Sequence, residues 1–152
     1  MNFSPVVKLN EALANELLAI NQYFVHSKMF KDMGFLSLSK ALREHSIEEM
    51  QHADSLIDRI LYCKGLPKIS YRDMGPLSPT VEGMLEKDLK LECDAVNLYN
   101  EAIAYLEAHK DFGSASLIRT LLKDEEGHVE WLEHQLSLIK SLGLQQYLVK
   151  HG

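Results

Sequence analysis

A repeat of 76 residues that carries charge restricts this chain more than any other feature. Glu16 and Glu92, Glu49 and Glu125, and His52 and His128 are each separated by that interval. Ala19 and Ala95, Asn21 and Asn97, Tyr23 and Tyr99, and Arg43 and Arg119 match at the same offset. So does the acid before each Glu-x-x-His, Glu48 and Asp124. Each half must therefore fold as the same helix pair, and the two pairs must meet about a pseudo-twofold axis. Leucine is abundant, Gly and Pro together number only 12 of 152 residues, and apolar residues recur at spacings of three and four. That is the helical period.

The expected helices span about 5–33, 35–64, 80–109 and 114–142, with a short fifth at about 144–150 and one domain over 1–152. Ser4-Pro5 is a helix start and Thr80 an N-cap; Gly34, Gly65 and Gly143 are stops. Residues 66–80 hold three of the four prolines and read as a loop. Short turns make helices one and two, and three and four, antiparallel neighbours. The 15-residue loop can run the length of the bundle, so helix three starts parallel to helix two. The fold class is all-α, a four-helix bundle with one long crossover.

At 100° per residue, Glu16 falls inside the apolar stripe of helix one, given by Leu9, Leu13, Leu17, Ile20, Phe24 and Ser27. Glu92 does the same among Leu85, Leu89, Val96 and Ile103. Glu49 and His52 lie within Leu38, Leu42, Leu56 and Ile60, and Glu125 and His128 within Leu117, Leu121, Leu132 and Ile139. Four carboxylates and two imidazoles in one core need compensation, and no Lys or Arg shares these stripes at that level. Two divalent ions would balance the carboxylates. The donor set suits iron or manganese, with zinc an alternative. One Glu from each of two helices plus Glu-x-x-His from the other two is a dinuclear carboxylate pattern.

The segments NELLAINQYF (15–24), HSIEEMQHAD (45–54), KDEEGHVEWLE (123–133) and GLQQYL (143–148) resemble the bacterioferritins, over nearly the whole chain. The resemblance implies a ferritin-like fold and a homo-oligomeric shell of 24 subunits with octahedral symmetry, built from twofold dimers, that stores ferric mineral. It implies a ferroxidase that oxidises Fe(II) with dioxygen or hydrogen peroxide at two iron ions per subunit. Glu49 and Glu125 would bridge the irons, Glu16 and His52 complete one, and Glu92 and His128 the other. Glu48 and Asp124 are placed to hold the histidine of the opposite helix, and Tyr23 and Trp131 look like the aromatic electron donors of such centres. Met50 lies about 160° from His52, on an outer stripe with Ile47, Ile57 and Leu61. Helix one carries an outer set in Leu18, Val25 and Met29. These stripes indicate a subunit interface. In bacterioferritins the methionine matching Met50 ligates haem b, shared between two subunits, with a small ferredoxin as electron donor for iron release.

One departure concerns an inner-surface iron site of some bacterioferritins, where the family's His is Glu44 here, with His45 beside it. His45 is expected as a packed residue or one that supports a ligand, with a gating role as the alternative. It is left open whether the centre is a stable cofactor or an iron-entry pore. His26, His109, His134 and His151 are expected at the surface, and Cys63 and Cys93 as small structural residues. A net charge of −6 argues against nucleic acid. Two cysteines, no long apolar run and no leader point to the cytoplasm rather than a membrane. Three rival readings are a di-iron oxidase that stores nothing, a twelve-subunit mini-ferritin, and an inactive shell subunit. The first would show as a dimer-sized particle. The second lacks its basic tail here, and the third is opposed by the intact ligand set.

Overall fold

The computed structural model describes residues 3–152. It contains α1 (Val6–Asp32), α2 (Leu36–Tyr62), α3 (Val81–Ala108), α4 (Phe112–Leu142) and α5 (Leu144–His151). No described helix is long and apolar enough to cross a membrane. Ser4 Oγ accepts from the Val6 N–H at 3.3 Å, with Pro5 at the boundary. Thr80 caps α3 through the Gly83 N–H. Asp111 caps α4 through the Ser114 N–H at 3.1 Å, so α4 starts at Phe112 and not at 114. The cap explains the difference: a carboxylate that takes up an orphan N–H recruits the preceding residues into the first turn.

The first three long helices end alike. The third residue beyond each reaches back five positions: Phe35 to Phe30, Gly65 to Ile60, and Asp111 to Leu106. Only the first of these turns uses glycine for its left-handed residue. Lys64 (φ 63°) and Lys110 (φ 62°) supply the others. Gly65, expected as the stop, serves close approach instead, since a Cβ there would meet Val6 Cγ2 at 2.5 Å.

The topology follows the expectation. Ser27–Ser39 and Ser46–Ile20 contacts run α1 and α2 antiparallel. Tyr99–Glu16 and Gln22–Asp88 contacts run α1 against α3. Helix α3 is therefore parallel to α2, at the far end of the crossover. The crossover is tied at its start by Asn10, which bonds Leu66 O and the Lys68 N–H, and at its end by Lys87 to Pro76 O.

The core is in two apolar halves. One holds Leu9, Leu13, Leu56, Ile60, Leu106 and Ile118. The other holds Phe30, Leu38, Leu42, Met84, Leu85, Leu132 and Tyr147. On every long helix the charged positions fall between them: Glu16 after Leu13, Glu49 and His52 after Leu42, Glu92 after Leu91, Glu125 and His128 after Leu121. Burial of the two halves supplies the stability that a charged middle layer would otherwise lack.

Phe24 and His26 correct the reading of α1. Phe24, placed in the core stripe, is 47% exposed, whereas His26, placed at the surface, is fully buried. They lie about 80° to either side of Glu16. Phe24 is on the open side, and His26 is on the other side, which α3 covers. There His26 Nδ1 meets Asp88 Oδ1 at 2.8 Å, and Gln22 Nε2 donates to the same carboxylate at 2.8 Å. Of the other histidines, His109 and His134 are exposed, and His151 is half-buried against Tyr147.

Candidate metal centre

Glu16, Glu49, Glu92 and Glu125 are fully buried, and His52 and His128 nearly so. Their donor atoms form two groups, each with all atoms within 4.8 Å of one another. One group is Glu16, Glu49, His52 and Glu125; the other is Glu49, Glu92, Glu125 and His128. Glu49 and Glu125 belong to both.

Hydrogen bonding leaves a specific set of atoms free. Tyr99 OH donates to Glu16 Oε1, and Tyr23 OH donates to Glu92 Oε1 at 2.8 Å. Each of these two carboxylates therefore keeps one oxygen without a partner. Glu49 and Glu125 keep both. His52 Nε2 pairs with Asp124 Oδ2 at 2.8 Å and His128 Nε2 with Glu48 Oε2 at 2.7 Å, so each imidazole turns Nδ1 inward. His52 Nδ1 comes within 2.9 Å of Glu125 Oε1 and 3.4 Å of Glu16 Oε2, without hydrogen-bond alignment. Eight buried donor atoms thus face one space unpartnered: Glu16 Oε2, both oxygens of Glu49 and of Glu125, Glu92 Oε2, and Nδ1 of His52 and His128. Shared out, they make two sets of four, each with one singly offered carboxylate oxygen, one imidazole nitrogen and one oxygen from each of the shared carboxylates. Orphan buried polar atoms are costly and rare. A divalent cation in each set would satisfy all eight.

Protonation of the metal-free cluster reflects the same crowding. Burial pushes Glu16, Glu49 and Glu92 above the usual carboxylate range. For Glu49 the nearby Glu16, Glu125 and Glu92 add to the effect. Burial opposes the charge of Glu125 too, but the close approach of Glu92, His128 and His52 outweighs it and holds it low. Burial would lower both imidazoles. Glu125 with Glu16 raises His52 to about 11, and Glu125 with Glu92 raises His128 to about 11. Burial and the adjacent carboxylates keep Tyr23 and Tyr99 protonated, as donors.

The remaining residues singled out in the sequence divide by location. His45 is buried and stacks on His128, ring centroids 4.3 Å apart. Burial, then the neighbouring His128, drops its pKa to about 3. Trp131 sets its edge against His45 at 4.9 Å, so His45 separates it from His128. Glu44 is exposed and outside both donor groups. Met50 is outside them as well, 56% exposed on the outer face of α2 with Ile47 and Leu61. Cys63 and Cys93 are free thiols outside the centre. Tyr99 was given no role from the sequence, although the repeat pairs it with Tyr23. Asp88 was overlooked too, at about 40° from Glu92 and so within the apolar stripe of α3.

The Ferritin-like domain family matches residues 6–142. A bacterial ferritin of Pseudomonas aeruginosa is 46% identical over 141 residues, covering 92% of this chain and 91% of that protein. Bacterioferritins of Brucella melitensis and Rhodobacter capsulatus are 42% and 44% identical. They cover 93% and 91% of this chain, and 88% and 86% of their own lengths. Family match, full-length similarity and a paired Glu/Glu-x-x-His core agree, and the chain belongs to the bacterioferritin family of ferritin-like proteins.

Proposed function

We propose that this chain is an iron-storage ferroxidase, with Glu16, Glu49, His52, Glu92, Glu125 and His128 as the ligands of two iron ions. The eight unpartnered donor atoms, divided four and four, carry the reading. Two adjacent irons supply one electron each to dioxygen or hydrogen peroxide, which avoids releasing a one-electron product. Glu49 and Glu125 span the two positions because each has both oxygens free. Glu16 and Glu92 serve one position each, because a tyrosine occupies their second oxygen. Asp124 and Glu48 fix the imidazole tautomer by accepting a hydrogen bond from Nε2–H, which leaves Nδ1 as the ligand. The apolar halves on either side exclude water from the cluster.

Fe(III) then accumulates in a shell of 24 identical subunits in the cytoplasm. Met50, on the exposed apolar face of α2, would hold haem b together with the Met50 of a twofold-related copy. Haem held there would supply electron transfer to stored Fe(III) for release, with a small ferredoxin as donor. The test is size-exclusion chromatography with light scattering, recording absorbance across the peak after Fe(II) addition in air. A particle of about 24 subunits that develops broad ferric absorbance supports the proposal. A dimer that oxidises only a couple of irons per chain overturns storage. Glu49→Ala should abolish rapid Fe(II) oxidation with assembly intact, and unchanged stopped-flow kinetics would remove Glu49 from the site. Met50→Ala should eliminate the Soret band, and its survival would end the axial role.

A further inference from the structure

We infer that His45 makes the two metal positions unequal: by stacking on His128 it holds that imidazole ready for metal, so the Glu92–His128 position binds a divalent cation more tightly than the Glu16–His52 position. This rests on the dinuclear reading above. The donor types are the same in both positions, although His52 Nδ1 lies 2.9–3.4 Å from its carboxylates and His128 Nδ1 3.5–3.7 Å from its own. Each position offers one carboxylate oxygen, one Nδ1 and a share of Glu49 and Glu125. Each imidazole is tied at Nε2 to a carboxylate of nearly equal exposure, 48% for Asp124 and 49% for Glu48, at 2.8 and 2.7 Å.

The surroundings differ. One hydrogen bond at Nε2 still lets an imidazole tilt about its tether. On His128 that freedom is removed by His45, whose ring lies 28° from parallel. His45 is itself held edge-on by Trp131 at 4.9 Å and by Tyr23 at 5.2 Å. The 76-residue offset places Leu121 where His45 would be for His52, and Ser55 where Trp131 would be. Leu121 is buried, but an aliphatic chain has no plane to align a ring against. Among the described residues, no aromatic ring stacks on His52. A ligand already fixed in its bound orientation loses less freedom when the metal arrives. Groups that orient a metal-binding histidine are worth roughly 10- to 100-fold in affinity.

Cobalt(II), titrated anaerobically into the metal-free assembled protein and followed by visible absorbance and calorimetry, separates the outcomes. The wild type should fill in two steps at least about tenfold apart, with His128→Ala removing the tighter one and His52→Ala the weaker. His45→Leu, which copies the other half of the repeat and its packing, should weaken the tighter step until the two merge. His45→Phe keeps a planar ring without nitrogens and should preserve the separation. A single step in the wild type, or an unchanged separation in His45→Leu, overturns the inference. Loss of the separation in His45→Phe overturns stacking as its cause. If the wild type takes up no cobalt at all, the dinuclear reading itself fails.

Discussion

Glu49→Gln should make the metal-free protein more stable and the metal-loaded protein less stable. Glu49 is fully buried, both of its oxygens lack hydrogen bonds, and Glu16, Glu125 and Glu92 face it. Four carboxylates against two protonated imidazoles leave two negative charges to be quenched by proton uptake or tolerated. Gln keeps the shape and removes one of them. Neutral replacement of buried ionic groups gains about 1–4 kcal/mol in comparable cores. At about 2–4 °C per kcal/mol for a chain of this length, the melting midpoint should rise by roughly 2–16 °C in chelator. The gain should grow with pH, because alkali strips the protons that relieve the wild-type cluster. With metal present the order reverses. Gln offers weaker donation to both positions at once, so affinity should fall by more than about 100-fold, the upper range for partners that only support a ligand. Metal at 100 times its dissociation constant stabilises the wild type by about 2.7 kcal/mol per position, about 5.4 kcal/mol for the two, most of which the variant forfeits. Scanning calorimetry with chelator and then with Co(II) reads both arms. A variant less stable in chelator would refute the reasoning, since it would make Glu49 a structural acceptor rather than an uncompensated ligand.

Further expectations follow from the same groups. His52 and His128, held at about 11 against an ordinary 6.5, bind protons in the folded state that the unfolded chain releases; Glu49 and Glu92, raised from 4.5, act in the same sense. Metal-free stability should therefore fall as pH rises from about 6.5 toward 11, thermal melts in chelator should follow that slope, and saturating metal should flatten it. Asp124→Ala should weaken the His52 position and Glu48→Ala the His128 position, each by roughly 10- to 100-fold, read by cobalt titration. Asp88→Ala leaves His26 and Gln22 buried without their acceptor, and should cost about 3–5 kcal/mol in urea denaturation. Gly143 joins α4 to α5 at φ 80°, ψ 153°, a region close to glycine-only. Gly143→Ala should cost about 1–3 kcal/mol and speed amide exchange in α5.

The helices, their pairing and the six donors were legible because helical angles need only one chain. Glu16 among Leu9, Leu13 and Ile20 is buried whatever its neighbours are. The pairings His52–Asp124 and His128–Glu48 were legible because the repeat places each acid one helix away from the opposite histidine. Phe24 and His26 were misplaced because both lie at an edge of the stripe, and which edge α3 covers is a property of the packed pair that leaves no mark in the period of one helix. Tyr99 was hidden differently, since its repeat match with Tyr23 was visible but only one of the two was assigned a role. Lys64 and Lys110 escaped because the left-handed cap favours glycine, and their backbone hydrogen bonds impose the conformation on lysine regardless.

The residues that break the repeat share a location. His45, Trp131, His26 and Asp88 all lie toward the apolar half that α5 covers through Tyr147, whose hydroxyl donates to Gln135. By sequence offset their counterparts in the other half are Leu121, Ser55, Ala102 and Ala12. At these four positions the bundle is polar or aromatic toward the end that its fifth helix closes, and aliphatic or small toward the other. Polar groups sealed from water must find partners inside the protein. His26 Nδ1 finds Asp88, whereas His45 is boxed between Trp131, Tyr23 and His128 with its Nδ1 left without a hydrogen-bond partner. Equal donors come from the repeat, and unequal surroundings come from the differences gathered beneath α5. A centre built in this way would hold two like ions without treating them alike.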